Sequence, residues 1–329
     1  MWLDPQSRLV EDVLGMSPSS YIAEGIALAL VLVLFAVRAW LRSVGQSRIL
    51  HTIPAGDFPA IEVRERRGGR ELWFEQRGRR MLQARVDRSN TLLSRLPYID
   101  GLHLYRGAER GSCRALFIGC GAGVGVRQFL RLHVNAHVDV IDVDPRIFDV
   151  AGAFFDLESS ERCRFHAGDG RDFLASSATA ARYDRIVVDV FGANDMPARL
   201  CTEEFFRLCR ERLSDRGTCV VNTAGTLEGP SSTLIRSIHA GLCAAFGASS
   251  VVAHPVPRGR ERRTAPRRRR NVLLFGFRSV APPAPSSWSE ETLATVPSIA
   301  RVAAARIAWS GMSEPLRDAT VESPNLEIR

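Results

Sequence analysis

The sequence contains no lysine; all 44 of its basic residues are arginine. That absence excludes Schiff-base and lysine-nucleophile chemistry. The seven cysteines, at 113, 120, 163, 201, 209, 219 and 243, include no C-x-x-C pair, so no zinc-ribbon or dithiol redox motif is present. Several stand inside apolar runs such as Cys219-Val220-Val221, where they read as small core residues. The expectation is a reducing compartment, no disulfide framework and no metal. No internal repeat is found, which excludes solenoids and propellers. What remains is an ordinary globular composition, 45% hydrophobic and 24% charged over 329 residues. That is enough for one large α/β domain with smaller appendages.

The net charge of +8 is unevenly placed. From Arg114 to Gly225 there are 14 Arg against 16 Asp and Glu, a net of −2, whereas Arg258 to Arg270 holds eight Arg and one Glu, a net of +7. A slightly acidic central region argues against a nucleic-acid enzyme built around a basic cleft. The arginine stretch reads first as a solvated loop between two strands. A second reading is contact with anionic lipid headgroups, and nucleic acid ranks third because no aromatics interleave.

Gly25 to Val37 is a 13-residue run without charge, short of the about 20 residues a bilayer span requires. Extended to Tyr21–Leu41, it places Arg38 where it can snorkel and Tyr21 and Trp40 at interfacial positions. Asp4, Glu11 and Asp12 precede it and arginines follow at 38, 42 and 48, the reverse of a signal peptide. The expectation is a single-pass transmembrane helix over 21–41 in the inner membrane, with the main domain cytoplasmic.

Beyond a connector, Ile61–Arg64, Leu72–Phe74 and Met81–Val86 read as strands joined by turns at Gly68-Gly69 and Arg77-Gly78. A helical stretch is expected near Asn90–Tyr105. From Arg114 the pattern becomes strand, glycine turn, helix, strand. Apolar strands are expected at Ala115–Ile118, Val138–Ile141, Arg162–His166, Arg185–Val188, Thr218–Asn222, Val251–Ala253 and Val272–Phe275. The last two, joined by the arginine loop, should be antiparallel. Continuous apolar strands alternating with helices imply an α/β fold with a mainly parallel sheet covered on both faces. A Pro/Ser-rich break at Pro282–Ser287 precedes one more helix over Ile299–Trp309. The organisation is an N-terminal segment 1–20, a membrane helix 21–41 and a connector 42–57. A β-domain plus helix covers 58–110, a nucleoside-binding domain 111–280, and a linker with C-terminal helix and tail 281–329.

Four motifs carry chemistry. Gly119, Gly121 and Gly123 follow a strand and open a helix, so that backbone can approach a ligand closely. Asp142 ends the next strand 19 residues later, where an acid accepts hydrogen bonds from ribose hydroxyls; Asp144 before Pro145 reads as a helix cap. Asp169, in Gly168-Asp169-Gly170-Arg171, is placed to accept from an adenine amino group. Asp189 ends a further strand at the ligand edge. Four such motifs in order indicate a nucleoside-type ligand, adenosylmethionine-like rather than NAD.

These residues resemble the polyamine aminopropyltransferases, the spermidine synthase family, over about Ile61 to Phe277. The resemblance rests on the hairpin domain with Gln83, on Tyr98-Ile99-Asp100, on the glycine turn and Asp142, and on Gly168–Arg171. It extends to Pro197-Ala198 ahead of Leu200–Phe205. It implies a Rossmann-like class I transferase fold and transfer of an aminopropyl group from decarboxylated S-adenosylmethionine to a diamine such as putrescine, without metal. It also implies cofactor contacts at Gly119, Gly121, Gly123, Asp142, Asp169 and Gly170, an acceptor side at Gln83 and Tyr98, Asp189 as the catalytic carboxylate, and pairing as a homodimer through the β-domain. Two positions depart from the family. Ala122 replaces the Asp that grips the aminopropyl amine, and Gly192 replaces the second Asp of D-x-x-D. Asp195 stands close enough to take that second duty, or forms a turn with Asn194. Two rivals remain open: a methyltransferase using intact S-adenosylmethionine, and a non-catalytic nucleoside-binding scaffold.

Overall fold

The structure, a computed structural model, describes residues 18–45, 47–66, 68–105, 112–176, 182–191, 196–257, 265–279, 289–307 and 313–321. Asp195, Gly192, the Pro282–Ser287 break and the first part of the arginine stretch lie outside the described residues.

Residues 1–48 with 65–67 form one compact unit and 49–64 with 68–329 another. The first holds helix α1, Pro18–Gly45, in which positions 25–38 are all exposed. Among the described residues no helix is long and apolar enough to cross a membrane. This corrects the expectation of a spanning helix at 21–41. The helix forms, but its charge-free stretch of 13 residues covers only about 20 Å at 1.5 Å per residue, against a hydrocarbon core of about 30 Å.

A four-stranded sheet follows in the order β1-β2-β3-β4, formed by β1 Ser47–Ile53, β2 Ala60–Arg66, β3 Gly69–Gln76 and β4 Arg79–Asp87. The expected hairpin strands are present. β1 is an addition, an exposed edge strand in what reads as connector. The expected helix near 90–105 reduces to α2, Pro97–Gly101. Proline forces its predecessor out of the helical region, and Leu96 is extended at φ −111°, so the helix starts only at Pro97.

The larger sheet runs β5 Cys113–Ile118, β6 Ala136–Asp142, β7 Cys163–Ala167, β8 Tyr183–Val188, β9 Leu213–Gly225, β10 Val251–Pro255 and β11 Arg270–Phe277. Its spatial order is β10-β11-β9-β8-β5-β6-β7. β5 to β9 pair in parallel; β11 is antiparallel to β10, as expected, and also to β9. Alternate side chains of β5 feed two cores. Ala115 and Phe117 join the layer that also holds Ile61, Leu72 and Val86 of the small sheet. Leu116 and Ile118 join the layer under α6 Glu203–Arg212 and α7 Thr233–Phe246. α3 Val124–Leu132 and α4 Arg146–Phe155 pack into the first layer and α5 Gly170–Ala175 into the second. The chain ends in α8 Glu290–Thr295, α9 Ile299–Ala303 and α10 Asp318–Val321. The C-terminal helix expected to reach Trp309 stops at Ala303, after which Ile307 bridges to Ala253 in β10.

Buried Arg185 on β8 ties the small helix to this sheet. Its guanidinium donates to the carbonyls of Leu102 (2.7 Å), Leu104 (3.1 Å) and Tyr105 (2.9 Å), the turn that ends the α2 region. Replacing it by Met leaves three carbonyls without this donor; we expect Arg185→Met to lose about 3 kcal/mol of stability in urea titration, and a loss under about 1 kcal/mol contradicts the clamp.

Candidate active site

In a doubly wound sheet a crevice opens where neighbouring strands send their connections in opposite directions. Here that point lies between β5 and β8: from β5 the chain moves outward through β6 and β7, then returns to β8. The segments leaving these two strands, 119–126 and 189–191, line a cavity of about 240 Å3.

Close approach of the two strand ends decides the sequence there. The Asp189 N–H donates to the Ile118 carbonyl (2.9 Å), and the Gly119 N–H donates to the Ile141 carbonyl (2.8 Å). A Cβ on Gly119 would lie 2.2 Å from the Asp189 carbonyl oxygen, and its φ is +94°. Gly121 also has positive φ, +51°, but nothing lies within 4 Å of where a side chain would begin. Its backbone is left open to the cavity it lines.

Asp142 braces this turn. One carboxylate oxygen accepts the Cys120 N–H (2.9 Å) and the other the Asp144 N–H (3.0 Å). Burial holds its carboxyl above the usual carboxylate range against the opposing pull of these donors. A carboxylate has about four lone-pair sites, so Asp142 keeps acceptor capacity for vicinal hydroxyls. Asp144 accepts the Arg146 N–H at the start of α4 and both arms of its guanidinium at 2.8 Å.

On the other side stand Gln83, Tyr98 and Asp189. The Tyr98 hydroxyl donates to the Gln83 carbonyl at 3.0 Å. Burial, with the nearby Asp189 charge, pushes its pKa well up and keeps it a phenol. Asp189 accepts from the Asn222 amide (2.8 Å), whose oxygen accepts in turn from the Asn271 amide (3.1 Å). Burial pushes the Asp189 carboxyl up to about 6, with the Asn222 bond opposing.

The structure thus brings Gln83, Tyr98, Gly119, Gly121, Gly123, Asp142 and Asp189 to one cavity. It does not bring Asp169 and Gly170 to its lining. The Asp169 carboxylate caps α5, accepting the N–H groups of Arg171 and Asp172, and pairs with Arg199 at 3.2 Å. A Cβ on Gly170 would lie 2.3 Å from Ile118 Cγ2, so this glycine is required by helix-on-strand packing. The sequence reading missed Asp57 and Phe58, which line the cavity from a segment with no periodic signal. It also missed Asn222, whose signal was a polar residue ending the apolar run of β9. The charged side chains among the described lining residues are Asp57, Asp142, Asp144 and Asp189, all acids.

A raised carboxylate pKa is also a stability statement. Between the ordinary 3.8 and about 6 the native state holds a proton that the unfolded chain has lost, so Asp189's contribution falls as pH rises through that window. Asp100, buried beside α2, is pushed up to about 6 as well, so only a difference isolates Asp189. We expect the melting-temperature advantage of Asp189→Asn over the parent to grow from pH 4 to pH 7. A pH-independent difference contradicts the assignment.

The spermine/spermidine synthase domain family matches residues 102–258. A polyamine aminopropyltransferase of Vibrio vulnificus (strain CMCP6) is 29% identical over 205 residues, covering 60% of this chain and 67% of that protein. A probable polyamine aminopropyl transferase of Bifidobacterium longum (strain NCC 2705) is 29% identical over 143 residues, 44% of this chain but only 31% of that one. A probable spermidine synthase from Corynebacterium glutamicum ATCC 13032 superposes with a TM-score of 0.60 at 20% identity, covering 81% of this chain and 98% of its own; it shows the fold. The family match runs from before β5 to just beyond β10, a little under half of the chain.

Proposed function

We propose that the protein transfers an aminopropyl group from decarboxylated S-adenosylmethionine to a small amine, a diamine in the first instance. The observation that carries this reading is the all-acid charge of the cavity lining. The donor bears a sulfonium and an ammonium, and the acceptor a second cation. A carboxylate about 4 Å from a cation contributes about 4 kcal/mol at an effective dielectric near 20, and costs an anion as much. Intact S-adenosylmethionine adds a carboxylate for which no described lining residue offers a cation, which disfavours methyl transfer.

In the step itself the neutral amine nitrogen attacks the carbon bonded to the sulfonium. The C–N bond forms, the C–S bond breaks, and its electron pair returns to sulfur, leaving methylthioadenosine as a neutral thioether. The nitrogen then carries an extra proton, which passes to Asp189. With a pKa of about 6, Asp189 is ionised at neutral pH yet more basic than an ordinary carboxylate, as a general base requires. Tyr98 and Gln83 frame the amine, and Asp142 holds the ribose. Ala122 offers the aminopropyl ammonium no carboxylate, and Asp195 remains a candidate second acid for the acceptor.

The same reading extends to location and assembly. We place the protein at the inner membrane, its main body on the cytoplasmic side, with α1 bound to the bilayer without crossing it, because Leu28, Leu30, Leu32, Leu34 and Phe35 of that helix are each 59–69% exposed. Arg267 to Arg269, exposed ahead of β11, would add attraction to anionic headgroups. The exposed edge strand β1 is where a second copy would pair.

Two measurements test the reading. Purified protein supplied with decarboxylated S-adenosylmethionine and putrescine should release methylthioadenosine, and Asp189→Asn should lower kcat by at least about a hundredfold. Transfer of a methyl group, or binding without turnover, would replace the reading with one of its rivals. In cell fractionation the full chain should stay with membranes through a high-salt wash; release into the soluble fraction ends the anchor.

A further inference from the structure

The segment between β1 and β2, Pro54-Ala55-Gly56-Asp57-Phe58-Pro59, has no sheet bonds of its own, yet supplies Asp57, Phe58 and Pro59 to the cavity lining. One side chain from the neighbouring helix α4 grips it. Arg146, in the first turn of α4, donates to the Pro54 carbonyl (3.0 Å) and to the Pro59 carbonyl (2.8 Å), gripping both ends of the segment. Its guanidinium carbon lies 5.7 Å from the centre of the Phe58 ring, within cation–π range. The same guanidinium is held in place from behind by Asp144, through two bonds of 2.8 Å. Asp144 is itself tied through its N–H to Asp142. Inside the loop, the Gly56 N–H donates to the Phe58 carbonyl (3.1 Å), closing a turn around Asp57.

We propose that Arg146 is a positioning residue for the nucleoside half of the cavity, buckling the 54–59 segment against the Asp142–Asp144 turn so that Phe58 and Asp57 form its outer wall. The inference rests on the nucleoside-sulfonium reading of the cavity and deepens it. A planar fork can serve two carbonyls and a carboxylate at once, which an ammonium cannot. Through Arg146 and Asp144, Phe58 is tied to the Asp142 turn, the part of the cavity this reading gives to the sugar and base. Asp57 adds a carboxylate at that wall.

The test uses the full chain with methylthioadenosine as calorimetric probe, together with hydrogen–deuterium exchange of the amides at 55–58. Arg146→Ala should bind the probe about tenfold more weakly, since it loses preorganisation of one wall, and should exchange those amides faster. Arg146→Lys should behave like Arg146→Ala, because charge without the fork does not restore both carbonyl bonds. In turnover, KM for the sulfonium substrate should rise while KM for the amine and kcat hold. Phe58→Ala leaves the ion pair intact and should weaken probe binding in the same way, which keeps the proposal open to test if Arg146 variants fold poorly. Unchanged exchange at 55–58 in Arg146→Ala, or probe binding equal to the parent in both Arg146→Ala and Phe58→Ala, overturns it. Failure of the parent protein to bind methylthioadenosine would overturn the functional reading instead, and the exchange measurement would still decide the strap.

Discussion

A side-chain carbon at position 119 would sit 2.2 Å from the carbonyl oxygen of Asp189. The site depends on that near-contact between the ends of β5 and β8. Because these strands are parallel neighbours at the switch point, the loops leaving them diverge and a crevice opens beyond their ends. Tight closure at Gly119, with the Asp189 N–H bonded to the Ile118 carbonyl, puts the glycine turn and the Asp189 carboxylate in the same crevice. A residue with a Cβ would have to push β8 away, and Asp189 with it.

The antiparallel end of the sheet is part of the same arrangement. Asn271 belongs to β11, which runs against β9, and its amide reaches Asn222 on β9, which in turn donates to Asp189. Three strands therefore contribute to fixing one carboxylate. The cost of burying it shows in its raised pKa, and the Asn222 bond offsets that cost only in part. An acid with too few donors is poorly suited to stability and well suited to taking a proton, in keeping with the concentration of perturbed groups at functional sites.

The regular part of this architecture was legible because it rests on short-range pattern. β5 to β11 are apolar runs bounded by turns, and the antiparallel closing pair followed from a connection without a helix. The cavity's inner face was legible for the same reason, since Gly119, Gly121, Asp142 and Asp189 all sit at strand ends. Asp169 shows the limit of that logic. A strand-end acid is equally suited to capping the following helix, and the two N–H groups at the start of α5 take its carboxylate. The outer wall was not legible at all. Asp57 and Phe58 acquire their place through Arg146, about 90 residues away in the chain, and no local pattern encodes such a contact. The stretch at 21–41 combined a helix signal with a membrane signal; only the helix depends on local propensity alone.

The lack of lysine, an apparent compositional accident, has a structural counterpart in these long-range contacts. Arg185 gathers three carbonyls at the end of the α2 turn. Arg162 donates to the carbonyls of Leu130 and His133 at the end of α3 and to Ala136 beyond it. Arg212 takes the carbonyls of Leu174 and Ser176 at the end of α5, and Arg171 holds Asp318 together with the Arg199 carbonyl and the Thr202 hydroxyl. The last four carbonyls of a helix have no partner within it, and a planar group with five N–H donors can serve several at once while favouring the negative end of the helix dipole. A lysine ammonium has three donors on a compact, strongly hydrated head and cannot span carbonyls that lie far apart. Irregular segments here are fastened by guanidinium forks from neighbouring elements. Arg146 at the cavity is one more instance, distinguished from the others because the segment it fastens lines the cavity.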